Sequence, residues 1–98
     1  MPIRDNDEGF KLMVDAFLSV ENAEECIDLI TDLCTILEIQ AMSQRVQVAK
    51  MLNEKKVYSE IREETGASTA TISRVNRSLN YGTGAYKKIF YKLEKNNE

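Results

Sequence analysis

Ninety-eight residues suffice for one small domain, and a chain 43% apolar and 30% charged has globular composition. Four glycines, one proline and no alternating β-branched runs argue against a β-rich fold and predict an all-α one. The net charge of −3 hides an asymmetry: residues 1–38 carry two basic and ten acidic side chains, a net of −8, whereas residues 39–98 carry eleven and six, a net of +5. A phosphate-binding patch in the second half is therefore compatible with an acidic whole. No apolar run approaches the roughly 18 residues that cross a bilayer, and the polar start MPIRDNDEG is unlike a secretory leader. With no histidine and no CxxC, a zinc site is not expected. Cys26 and Cys34 fall about 12 Å apart on one helix, beyond disulfide reach, and read as small core hydrophobes of a cytoplasmic protein.

In chain order, residues 1–7 read as a frayed tail. A first helix is predicted from about Asn6 to Val20, with Phe10, Met13, Val14, Phe17 and Leu18 on one stripe. Asn22 and Glu25 form a capping-box-like start for a second helix to about Leu33, whose apolar face is Cys26, Ile27, Ile30 and Leu33. Thr35 and Glu38 repeat the device ahead of a third helix to about Asn53. Its apolar positions (Ile36, Leu37, Ile39, Met42, Val46, Ala49, Leu52) run around much of the circumference, so burial from several sides is expected. The link NEKKV follows at Asn53–Val57. NYGTG at Asn80–Gly84 reads as a turn before a last helix over 85–95 marked by Tyr86, Ile89, Phe90 and Leu93.

The stretch SEIREETGASTATISRVNRSL, from Ser59 to Leu79, carries the functional signal. Ile61 anchors a short helix ending near Thr65. Gly66 supplies a position free of the Cβ penalty at positive φ, and Ser68 caps a helix from Thr69 to Leu79. Ile72, Val75 and Leu79 recur at spacings of three and four. The first turn offers Thr69, Ala70, Thr71 and Ser73, which are short enough to enter a major groove and touch base edges, with Arg74 and Arg77 flanking. This is the pattern of a helix-turn-helix, although a plain helical hairpin with hydroxyl caps accounts for any one residue. Enzyme chemistry is not expected, since there is no nucleophile beside a base and no metal set. NYGTG lacks the Lys-Ser/Thr of a phosphate-binding loop.

Three runs, QAMSQRVQVAKML at Gln40–Leu52, SEIREETGAS at Ser59–Ser68 and TATISRVNRSL at Thr69–Leu79, resemble the bacterial tryptophan repressor family. The likeness is greatest to its YerC/YecD group from Gram-positive bacteria, and continues through Asn80, Tyr81, Gly82, Gly84 and Tyr86. The resemblance implies an all-α homodimer with interlaced N-terminal helices over residues 1–34, a core helix over 35–53 and two helix-turn-helix heads over 58–79. It also places Ser59, Arg62, Arg74 and Arg77 on DNA phosphates, beside Ser68 and the reading residues Thr69, Ala70, Thr71 and Ser73. The corepressor contacts of the family fall on Arg45, Arg74 and Ser78, where two arginines suit an anionic ligand. A glycine of that pocket is replaced by Val75, whose branches would crowd an indole, so tryptophan is not expected as effector. Arg45 and Arg74 are left to another anion, to structural ion pairs or, for Arg74, to phosphate. The function expected is a sequence-specific DNA-binding transcriptional regulator, a repressor acting as a homodimer on a palindromic operator in double-stranded DNA, with no cofactor and no membrane. The alternative is a helical protein–protein interaction module whose acidic N-terminal half is the binding surface.

Overall fold

The computed structural model describes residues 7–97, within which there are six helices and no strand. They are α1 (Glu8–Leu18), α2 (Ala23–Leu33), α3 (Ile36–Asn53), α4 (Tyr58–Thr65), α5 (Thr69–Tyr81) and α6 (Ala85–Asn96). Of the tail expected over residues 1–7, residues 1–6, and with them a helix start at Asn6, lie outside the described residues, while Asp7 is the ordered N-cap of α1.

Local capping chemistry sets most of the helix ends. Asp7 caps α1, its Oδ1 accepting from the Phe10 N–H at 2.8 Å. The helix stops at Leu18, two residues short of expectation, because the Ser19 hydroxyl turns back to donate to the Ala16 carbonyl at 2.7 Å. Asn22 Oδ1 accepts from Glu25 N–H at 2.9 Å, while the Glu25 carboxylate reaches back to the Glu21 N–H at 3.0 Å, one residue before a standard capping box. At α3 the box is reciprocal. Thr35 Oγ1 accepts from Glu38 N–H at 3.1 Å and Glu38 Oε1 accepts from Thr35 N–H at 2.8 Å. That donated N–H stabilises the ionised form and holds the Glu38 carboxyl below the usual glutamate range.

The chain divides into two compact units, one ending at Ile39 and the other beginning at Gln40, so that α3 contributes its first turn to one and the rest to the other. In the first unit neither α1 nor α2 has a buried residue. Leu12, Leu18, Ile27 and Leu33 are exposed, and Leu37 in the first turn of α3 is 77% exposed. The two cysteines are half-buried free thiols, not the core residues expected of them. The broad burial expected of α3 is confined to its second half.

Among the described residues, the buried core lies in the second unit. Val48, Ala49, Met51 and Leu52 of α3 meet Ile61 of α4, Ala67 of the turn, Ile72, Val75 and Leu79 of α5, and Phe90 of α6. Tyr58 and Tyr86 pack against this cluster. Each fully buried aliphatic side chain contributes about 1.5–3 kcal/mol over its exposed state, so this is where the fold is decided. α3 ends in a Schellman arrangement. Lys55 N–H donates to Leu52 and Lys56 N–H to Met51, both at 3.0 Å, with Lys55 at φ 66°. A lysine in the left-handed region costs about 1–2 kcal/mol, offset here by the hydrogen bonds it allows to the Leu52 and Met51 carbonyls at the end of α3.

The depressed Glu38 value fixes a sign. The folded state favours the carboxylate, so its contribution is fully present above the ordinary glutamate value of about 4.3 and is lost as pH falls through the folded value. Urea unfolding of the protein and of Glu38→Ala should therefore show a gap at pH 7 that narrows at pH 3. An equal gap at both would mean that the carboxylate does not act as a cap.

Candidate nucleic-acid interface

The turn between α4 and α5 is built by one glycine, one threonine and one distant glutamine. Gly66 sits at φ 74° and its N–H donates to the Arg62 carbonyl at 2.9 Å, closing α4. Thr65 Oγ1 donates to the Ile61 carbonyl at 2.7 Å and accepts from the Ala67 N–H at 3.1 Å. Its carbonyl accepts from Gln44 Nε2 of α3 at 3.1 Å. Ala67 is buried under the turn. Ser68 then caps α5, its Oγ accepting from Thr71 N–H at 3.1 Å and donating to Thr71 Oγ1 at 3.1 Å. These hydrogen bonds tie the corner to itself and to α3.

Around α5, at about 100° per residue, Thr69, Ala70, Ser73, Arg74 and Arg77 fall in one arc of about 140°, and all five are exposed. Ile72, Val75 and Leu79 lie opposite and are buried. Thr71 falls outside the exposed arc. It is half-buried and its hydroxyl is tied to Ser68. Ser59, Arg62 and Ser68 are exposed on α4 and at the cap. The face is short, hydroxylated and basic, and its reverse is anchored in the core.

α5 runs to Tyr81, two residues beyond its predicted end, and the expected turn shortens accordingly. Asn80 Nδ2 donates to both the backbone carbonyl and Oδ1 of Asn76, each at 3.0 Å. The helix stops at Gly82, whose N–H donates to the Ser78 carbonyl at 3.0 Å. A Cβ on Gly82 would run into that same oxygen. Gly84, at φ 89°, then admits α6, where the rings of Tyr86 and Phe90 stack 5.9 Å apart.

Val46, Ser78, Ala85, Tyr86, Ile89 and Phe90 line an apolar groove of about 490 Å³. Of the four residues singled out for an effector, only Ser78 lines it. Arg45 and Arg74 are exposed, and Val75 is 3% exposed within the core. A second, more polar groove of about 640 Å³ lies between Tyr58 and the outer face of α5 at Ser73, Asn76, Arg77 and Tyr81. Gln44, Tyr58 and Tyr81 were not singled out from sequence. Gln44 acts across 21 positions, and Tyr81 reads as a turn residue until the helix is seen to include it. Among the described residues, no group of three or more His, Cys, Asp or Glu is placed to hold a metal, and no helix is long and apolar enough to cross a membrane.

The fold and this corner define an all-α helix-turn-helix protein. The model of the Trp repressor protein family matches residues 8–94, and the chain belongs to that family, whose members are regulators rather than enzymes. It is 55% identical over 75 residues to the uncharacterized protein YerC of Bacillus subtilis strain 168, spanning 76% of this chain and 72% of that one. Among solved structures, a TrpR-like protein from Eubacterium eligens ATCC 27750 superposes with a TM-score of 0.88 at 49% identity, covering 91% of this chain and 92% of its own. A candidate Trp repressor from Staphylococcus aureus gives 0.87 at 48%, covering 91% and 89%.

The two turn glycines should fail differently. A Cβ at Gly66 meets nothing within 4 Å, so Gly66→Ala should cost only the left-handed penalty of about 1–2 kcal/mol. Gly82→Ala must displace backbone at the end of α5, a steric cost of about 1–3 kcal/mol accompanied by loss of helical signal at residues 79–81. Chemical denaturation with amide hydrogen exchange separates the two, and unchanged exchange at 79–81 in Gly82→Ala would contradict the steric account.

Proposed function

We propose that this protein is a sequence-specific DNA-binding transcriptional regulator, a repressor acting in the cytoplasm as a homodimer on a palindromic operator. The observation that carries the reading is α5 itself, with one side buried as Ile72, Val75 and Leu79 and the other presenting Thr69, Ala70, Ser73, Arg74 and Arg77. Short polar side chains admit the helix to a major groove and offer contacts to base edges. Ser59, Arg62, Arg74 and Arg77 supply phosphate contacts that fix its register. Ser68 and Thr71 serve this face chiefly by capping it, since each hydroxyl is already bonded to the other. The dimer is supported by the uncovered apolar side chains of α1 and α2, and a two-fold pair of heads matches a palindrome.

Binding to duplex DNA should weaken steeply with salt, and Arg62→Ala should lower affinity about equally for all sequences. Ala70→Phe should instead abolish preference among sites selected from random DNA, by blocking groove entry. Sedimentation equilibrium should give twice the 11.2 kDa chain mass. Protein that binds no duplex at low salt would return the chain to the interaction-module reading, with its acidic N-terminal half as the surface.

Tryptophan is not the effector in this reading. Val75 belongs to the core and fills the position where an indole face would need a glycine. Calorimetric titration should show no tryptophan binding tighter than about millimolar, equivalent to about −4 kcal/mol. Val75→Gly tests the converse, at a cost of about 1 kcal/mol in helix propensity beyond the lost burial. Micromolar binding by the unaltered protein would restore the tryptophan-responsive assignment. Arg45, Arg74 and Ser78 remain the residues proposed for any small anionic effector.

A further inference from the structure

The polar groove beside the reading face has a consistent chemistry. Its lining is Tyr58 of α4 with Ser73, Asn76, Arg77 and Tyr81 of α5. Two phenols, a hydroxyl, an amide and a guanidinium all offer hydrogens, and none of the five residues carries a carboxylate. The amide of Asn76 is oriented by its neighbour. Its Oδ1 accepts from Asn80 Nδ2 at 3.0 Å, which leaves the NH2 end as the group available to a ligand. Ser73, Arg77 and Tyr81 stand at successive intervals of four, on one stripe of the helix. Tyr58 packs against the core and is fixed in place, whereas Tyr81 is 87% exposed with nothing of the core to support.

Position along α5 then selects the ligand. At about 1.5 Å per residue, Arg77 lies about 12 Å and Tyr81 about 18 Å beyond Thr69. The major groove is only about 8.5 Å deep and 12 Å wide. With the first turn of α5 among the base edges, Arg77 and Tyr81 are past the rim, where the sugar–phosphate strand runs. We infer that Tyr58, Asn76, Arg77 and Tyr81 form a clamp for the phosphodiester backbone flanking the bases read by the first turn. Tyr58 and Tyr81 are its two walls, and Arg77 supplies the charge. The inference rests on the DNA-binding reading and extends it to residues beyond those of the first turn and the flanking arginines. It also gives Ser73 a second use, at the junction of base face and clamp.

Phosphate contacts carry no sequence information, so a mixed-sequence 30-base-pair duplex is a sufficient probe. Its affinity should be measured by fluorescence anisotropy for the full chain, Tyr58→Phe, Tyr81→Phe, Tyr81→Ala and Arg77→Ala. Tyr58→Phe keeps the ring packed and removes only the hydroxyl. Changes at Tyr81 touch no buried contact, so folding is not at stake. Tyr58→Phe and Tyr81→Ala should each weaken binding by about threefold to tenfold, the range for one hydrogen bond. Preference among selected sites should stay as it was. Arg77→Ala should reduce the salt slope by about one. Tyr81→Phe should weaken binding as Tyr81→Ala does if its hydroxyl makes the contact. Unchanged affinity in Tyr58→Phe and both Tyr81 variants, while Ala70→Phe still abolishes site preference, overturns the clamp and leaves DNA reading intact. No duplex binding by the unaltered chain overturns both. Inorganic phosphate at matched ionic strength is the control for the other source of this chemistry. Displacement of DNA by millimolar phosphate beyond the chloride control would make the groove a free-anion site and overturn the backbone assignment.

Discussion

Ile61 of α4, Ile72 of α5 and Val48 of α3 are the largest side chains fully removed from water, and all three belong to one cluster. Three successive helices are held in register by that one patch of apolar contact. The corner between α4 and α5 gains its fixed geometry from it, because Ala67 is buried under the turn while Ser68 and Thr69 are turned outward. The hydrogen bond from Gln44 to the Thr65 carbonyl adds direction to a contact that is otherwise non-directional. The exposed face of α5 is therefore held in position from the opposite side of the same helix.

The sequence displayed best what is decided within four residues. Asn22, Thr35 with Glu38, and Ser68 each cap as their spacing implies, because a side-chain oxygen and an N–H two or three residues on are neighbours in any helix start. Gly66 was legible for a similar reason, since its φ of 74° is closed to most other residues without strain. The end of α5 was less so. Asn80 is a common turn residue, yet here its amide bonds back to Asn76 and the helix continues. The half-buried state of Thr71, like Gln44's role, depends on which partner lies nearby in space. Composition does not encode that.

In the N-terminal helices only the cysteines were read as more buried than they are. The apolar stripes of α1 and α2 are present as spaced, but none of their residues is fully buried among the described residues, and Cys26 and Cys34 stay partly open. Hydrophobic periodicity says which face of a helix avoids water and leaves unsaid whether the covering surface is in the same chain. Val75 shows the same limit from the other side. Resemblance marks it as a departure from a ligand pocket, while packing marks it as a core residue in its own right. Both descriptions concern one side chain on the inner stripe of α5. The grooves on either side of that helix differ in kind, apolar beside Ser78 and Phe90, hydrogen-donating beside Arg77.

The uneven distribution of core has a consequence for synthesis. A ribosome delivers the first unit before the second, and the first contains no buried side chain on α1 or α2. At about 5–20 residues per second, the segment from Gln40 onward takes several seconds more to emerge. During that interval Leu12, Phe17, Leu18 and Ile27, which remain exposed in the folded chain, are already out while the core of the second unit has yet to form. The later segment has the opposite character, with its cluster confined to a stretch short enough for rapid local assembly. Growth in this direction brings out the apolar N-terminal helices before the core exists, and the last helix, with Phe90, completes that core.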